Sequence, residues 1–157
     1  MENSLLEAAR SLTDEERDAL IDKAAAQAGI CPGAEAVADE AAFLVQARLH
    51  QLNYSLLTGA LSLGATTVDR EAIEREAREE ARRQLAAEEL LEQVITAEGL
   101  TVTPDELLEE GRAIAQREGV SLGTVRMYLG EDLGSLEHDL LVRKAMDLVC
   151  ERMLQGA

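Results

Sequence analysis

Apolar residues recur along this chain at three- and four-residue steps, and no segment shows the two-residue alternation of a strand. Thr13-Asp14-Glu15-Glu16 is a capping box, in which the hydroxyl accepts from the backbone N–H three residues on and Glu16 reaches back. It predicts a helix from about Asp14 to Ala28, with Leu20, Ile21, Ala24 and Ala28 as its apolar stripe and Gly29 as its stop. Residues 1–12 read either as a flexible extension or, through Leu5, Leu6 and Ala9, as a short helix. Pro32 suits the first turn of the next helix, where a missing N–H goes unnoticed. The set Ala34, Val37, Ala38, Ala41, Leu44, Val45, Leu49, Leu52 and Leu56 keeps helical spacing up to Gly59. That is about 25 residues, or roughly 38 Å of helix.

Residues 59–68 form a turn rich in leucine. A third long helix is predicted from about Val68 to Glu98. Its first half is mostly charge, with Glu71–Arg75, Glu74–Arg78 and Glu79–Arg83 spaced as i,i+4 pairs and only Ile73, Ala77, Ala81 and Leu85 as a thin apolar seam. The second half widens to Leu90, Leu91, Val94 and Ile95, so these two long helices read as an antiparallel pair with one narrow, wet end. Gly99 ends that helix, and Thr103-Pro104-Asp105-Glu106 is a second capping box with proline at the first helical position. The helix it starts should run to Glu118 with Leu107, Leu108, Gly111, Ile114 and Ala115 inward. Ser121 caps a short helix through Leu129, and Ser135 one that continues to about Met153 with Leu136, Leu140, Leu141, Ala145, Leu148 and Val149 inward. The expectation is a single all-α domain over residues 1–157.

Charge narrows the partners. Fifteen Lys and Arg stand against 31 Asp and Glu, a net charge of −16, and a field of that sign repels phosphate backbones and anionic lipid headgroups. Nucleic acid and membrane surfaces are therefore not expected as partners, and the acidity reads either as a means of solubility or as a preference for basic polypeptides. With three aromatics, Phe43, Tyr54 and Tyr128, the chain offers no base-stacking platform. The start Met-Glu-Asn-Ser is not of signal-peptide type, and two cysteines make no disulfide framework, so the compartment expected is the cytoplasm.

Catalytic and metal-binding patterns do not emerge. His50 and His138 sit in no metal-binding frame, and consecutive residues of Glu137-His138-Asp139 point in different directions on a helix. Cys31 and Cys150 read as small hydrophobes. No glycine-rich phosphate loop or nucleophile elbow is present, and Glu131-Asp132-Leu133-Gly134 lacks the alternating oxygens of a calcium loop. No enzyme activity and no cofactor, ATP included, is expected. What remains is apolar surface: Leu49, Leu52, Leu56, Leu57, Leu61 and Leu63 around the tip of the two long helices, and Met127, Tyr128 and Leu129 on the short one.

The C-terminal half carries a resemblance. It runs from Val94-Ile95-Thr96-Ala97-Glu98-Gly99 through Val102-Thr103-Pro104-Asp105-Glu106-Leu107 and Met127-Tyr128-Leu129-Gly130 to Asp139-Leu140-Leu141-Val142-Arg143-Lys144-Ala145-Met146-Asp147. The order and spacing of these pieces resemble the C-terminal domain of trigger factor, the ribosome-associated bacterial chaperone, and Leu20 to Gly59 is similar to the helix pair that opens that domain. The resemblance implies an elongated helical body with two projecting arms, a fold related to SurA-type chaperones, and a cradle for unfolded or nascent chains. Nothing in the chain corresponds to the family's ribosome-binding and prolyl isomerase domains, so neither activity is expected. The connection at 59–68 is shorter than the family's and lacks its aromatic. Two functions are expected on this basis: ATP-independent, holdase-like binding of polypeptide, or a homo-oligomerisation or interaction module, such as a homodimer, with no client.

Overall fold

A computed structural model describes residues 2–59 and 68–156, in which seven α-helices and one 3₁₀ turn succeed one another without a strand. They are α1 (Glu2–Ser11), α2 (Asp14–Gln27), α3 (Ala34–Leu57), α4 (Arg70–Glu98), α5 (Pro104–Glu118), α6 (Leu122–Leu129) and α7 (Glu137–Gln155), with the 3₁₀ turn at Gly134–Leu136 before α7. The chain is all-α, as its spacing predicts, and residues 2–11 take the helical alternative.

Three of the seven helix starts are set by the expected side chains. At α2 the Glu16 N–H donates to Thr13 Oγ1 at 3.2 Å, while the Thr13 N–H donates to Glu16 Oε2 at 2.8 Å. Thr103 and Glu106 repeat the arrangement at α5, and Ser121 Oγ accepts from the Thr124 N–H at 3.1 Å at α6. Two starts differ from expectation. Pro32 and Gly33 lie outside α3, whose N-cap is Gly33 in the extended conformation usual for that position. Ser135 lies inside the 3₁₀ turn, and α7 begins at Glu137 with no side-chain cap. At α4, Asp69 caps by accepting from the Ala72 N–H.

The described chain packs as two compact units, residues 1–24 with 90–157 and residues 25–89. In the first, α1 packs on α7 with Ala9 fully buried, and Arg10 and Arg17 both reach the Asp147 carboxylate. Ala115, Val125, Leu133 and Leu136 form a core that joins α5, α6 and the 3₁₀ turn, with Leu107, Ile114, Leu122 and Leu129 against it. Leu133 enters this core from a loop, in the left-handed region at φ 58°. Gly111 of α5 faces it, and a Cβ there would stand 2.5 Å from Leu133 Cδ1. Cys150 is buried and Cys31 is exposed; only the former is the small hydrophobe expected of both.

In the second unit α3 and α4 run antiparallel. Val37 and Ala41 meet Ala81, with Leu44 and Leu85 beside them. Ala77 and Ala81 have no exposed surface, and small residues at these positions let the helix backbones approach closely. Towards the other end, the Arg48 guanidinium bridges to α4 with Nη1 donating to Glu76 and Nη2 to Glu80, each at 2.8 Å. The three forward i,i+4 pairs expected on α4 are not those that close there; among the described residues Arg70–Glu74 forms instead, and Arg48 fixes Glu76 and Glu80 across the helices.

Candidate functional site

Among the described residues the large exposed apolar side chains lie mainly on α3 and α6. In the second unit they gather on the C-terminal half of α3. Leu49, Leu52 and Leu56 are half-buried, and Leu57 is 79% exposed at the helix end. Leu61 and Leu63 lie outside the described residues. Leu52 and Ile73 form the apolar walls of a shallow cleft of about 360 Å³ between the helices, with Arg48, Gln51 and Ser55 as its polar edge. Glu76 and Glu80 both pair with Arg48 there, which leaves the cleft's polar edge with one net negative charge.

In the first unit the exposed group is on α6. The helix is held from below by Val125 in the core, and at its start by the Ser121 cap. That fixes its outer face, on which Met127 is 73% and Tyr128 is 78% exposed. Leu129 is turned the other way: it is half-buried and packs on the core with Leu122. Of the nine candidate residues, the structure leaves Leu57, Met127 and Tyr128 largely open and Leu49, Leu52 and Leu56 partly so.

Val68 and Val120 are also exposed, at 48% and 43%, and two aromatic residues escape the sequence reading, Phe43 at 67% and Tyr54 at 65%, both on α3. Their signal is present in the chain: they lie off the stripe Val37, Ala41, Leu44 and Val45 that any helical reading assigns to the core.

Polar contacts tie α5 and the turn before it to α7 in the first unit. Lys144 Nζ donates to the Thr101 carbonyl at 2.7 Å and lies 2.6 Å from Glu106 Oε1. The hydrogen bond from Lys144, together with the Thr103 N–H, holds the Glu106 carboxyl below its ordinary value. Arg143 forks onto both oxygens of Glu110, which strengthens its hold on its proton. Burial pushes the Cys150 thiol up, away from the thiolate a nucleophile needs. Among the described residues no group of three or more His, Cys, Asp or Glu is gathered to hold a metal ion, and no helix is long and apolar enough to cross a membrane.

Comparison with known proteins bears on what such surfaces serve. The family model described as bacterial trigger factor protein C-terminus matches residues 2–151. Trigger factor of Lactobacillus helveticus is 39% identical over 67 residues, which are 43% of this chain and 14% of that protein. Trigger factor of Lactobacillus acidophilus is 37% identical over 67 residues, 43% of this chain and 15% of the relative. The aligned stretch thus spans about one-seventh of the length of these curated relatives. No solved structure matches. Because the family model runs through both helical units, from α1 to near the end of α7, the chain belongs to the bacterial trigger factor C-terminus family, a family of chaperones.

Proposed function

We propose that this chain is an ATP-independent, holdase-like module that covers apolar segments of unfolded or nascent polypeptides. The observation that carries the reading is the exposure of Met127 and Tyr128 on α6, whose other side packs through Val125 and Leu129, together with that of Leu57 at the end of α3. A stiff helix that presents open apolar side chains binds without first ordering itself, so the ordering cost falls on the client alone. A leucine of the client covered by such a face contributes up to roughly 1.5 kcal/mol, and several weak contacts add to useful affinity with fast exchange. Leu49, Leu52, Leu56, Leu57, Met127 and Tyr128 are the contacts, with Leu129 holding α6 in place behind them. The net charge of −16 draws basic clients and keeps empty molecules soluble. The place of action consistent with family membership is the cytoplasm.

Light scattering from a chemically unfolded client, diluted into equimolar protein, tests this. Aggregation should slow at low salt for several unrelated clients, more for basic ones, and the basic preference should fade at about 1 M salt, where charge is screened within roughly 3 Å. The triple variant Leu57→Ser, Met127→Ser and Tyr128→Ser should stay folded, since these side chains are mostly in water, and should lose most of the effect. No slowing for any client would overturn the reading. A stable dimer that binds no denatured chain would put an interaction module in its place.

A further inference from the structure

We infer that α1 is a displaceable cover, and that the strip of α7 it occupies is a docking groove for an amphipathic helical segment of a client, an inference that rests on the proposed binding of polypeptide. The first observation is how lightly α1 is held. Its ten residues make about 15 Å of helix, too short to persist alone in water, so its shape depends on packing against α7. Across residues 4–11 Ala9 alone is buried, while Leu5 and Leu6 are half-buried. The ion pair it makes, with Arg10 Nε 3.4 Å from Asp147 Oδ2, comes from a side chain that is 64% exposed.

The second observation is that the elements around α1 are fixed without it. The start of α2 is set by its own capping box of Thr13 and Glu16, and Arg17 of α2 holds the other oxygen of the Asp147 carboxylate. When α1 lifts, Asp147 therefore keeps a partner and no buried charge is stranded. A short element with few buried contacts is the kind that opens locally while the rest of a fold stays closed.

The third observation is the chemistry that α1 covers. Burial pushes the Cys150 thiol of α7 up, Arg17 opposes the shift, and Asp147 and Asp18 add to it, so these three charges gather around one stretch of α7. Two carboxylates against one guanidinium leave a negative excess, which a cation on a docked helix offsets as Arg10 does. The groove thus selects what α1 itself presents: two leucines, an alanine three residues on that permits close approach, and an arginine after it. Because α1 is tethered beside its groove, a free helix competes with an effective concentration of about millimolar. The intact chain should bind such a segment weakly, and loosening α1 should tighten binding.

Fluorescence anisotropy with two labelled peptides tests this, one of residues 2–13 and one unrelated amphipathic peptide that keeps the leucine, alanine and arginine pattern. Both should bind the full chain carrying Ala9→Asp at least about tenfold more tightly than the unaltered chain, since the tethered competitor is gone. Exchanging the peptide's arginine for glutamate should abolish the gain. Circular dichroism should show the loss of no more helix than α1 supplies. Should Ala9→Asp unfold more than that, the double variant Leu5→Ser and Leu6→Ser, at half-buried positions, loosens α1 instead and must give the same tightening. Equal affinity for altered and unaltered chains, no binding to either, or binding of the 2–13 peptide alone would each overturn the inference. Client holding is read separately by light scattering: a chain that slows aggregation yet gains no affinity for either peptide leaves that reading standing and removes this one.

Discussion

Replacing Gly111 with alanine sets two effects of similar size against each other. Gly111 lies inside α5, where alanine is favoured over glycine by about 1 kcal/mol. The added Cβ would meet Leu133 Cδ1 at 2.5 Å and Leu122 Cδ1 at 3.3 Å. Leu133 cannot swing aside freely. It is only 2% exposed, its N–H donates to the Gly130 carbonyl at 3.0 Å, and its own carbonyl accepts from the Leu136 N–H at 3.0 Å. Overpacking of this kind costs about 1–3 kcal/mol, so Gly111→Ala should destabilise the fold by about 1 kcal/mol net. Leu133→Ala alone should cost about 2–4 kcal/mol through lost burial and the cavity it leaves. In that background the same Gly111→Ala change finds room and should stabilise by about 0.5–1 kcal/mol. Urea unfolding of the four proteins, monitored by circular dichroism, measures the coupling. Equal effects of Gly111→Ala in both backgrounds would refute the argument that Leu133 is what Gly111 accommodates.

The polar contacts lead to three further outcomes. Asp147→Asn removes the charge that partners the largely buried Arg17 and should cost about 1–3 kcal/mol in a urea melt, whereas Arg10→Ala, at a 64% exposed side chain, should stay within about 0.5 kcal/mol; equal losses would contradict the assignment. The Glu106 carboxyl sits below its ordinary 4.5 when folded, so its contribution is complete above that value and is lost as pH falls through the lower folded one. Urea midpoints should therefore drop on acidification below about pH 4.5, and Glu106→Gln should flatten that drop; an identical acid limb in the variant would count against it. A thiol reagent should modify the exposed Cys31 in the native protein and reach Cys150, buried and with its thiol pushed up, only on unfolding; fast reaction of both would contradict the packing.

The helices are legible in the sequence because their ends carry local signals. The boxes at Thr13 and Thr103 and the cap at Ser121 act within one turn and need no tertiary partner. A start that depends on tertiary packing is not legible in the same way: Ser135 falls into a 3₁₀ turn because Leu136 is drawn into the core beside Leu133. Leu133 itself reads only as part of a polar loop, and its burial is decided by the space over Gly111, which spacing along one helix does not reveal. The exposed ends of the candidate surface, Leu57, Met127 and Tyr128, are visible as apolar residues at helix tips. Leu129 differs from its neighbours because α6 has a single buried side, and Val125 and Leu129, four residues apart, share it. Phe43 and Tyr54 stay unassigned by periodicity, since the core stripe of α3 is complete without them.

Client holding is tested most directly by titrating an unfolded, basic, leucine-rich peptide into isotopically labelled protein and monitoring amide and methyl shifts. The account predicts changes concentrated at Leu49 to Leu57 and at Met127 and Tyr128, with the core methyls of Ala115, Val125 and Leu136 unmoved. No shifts at about millimolar peptide, the weak end of specific binding, would contradict it.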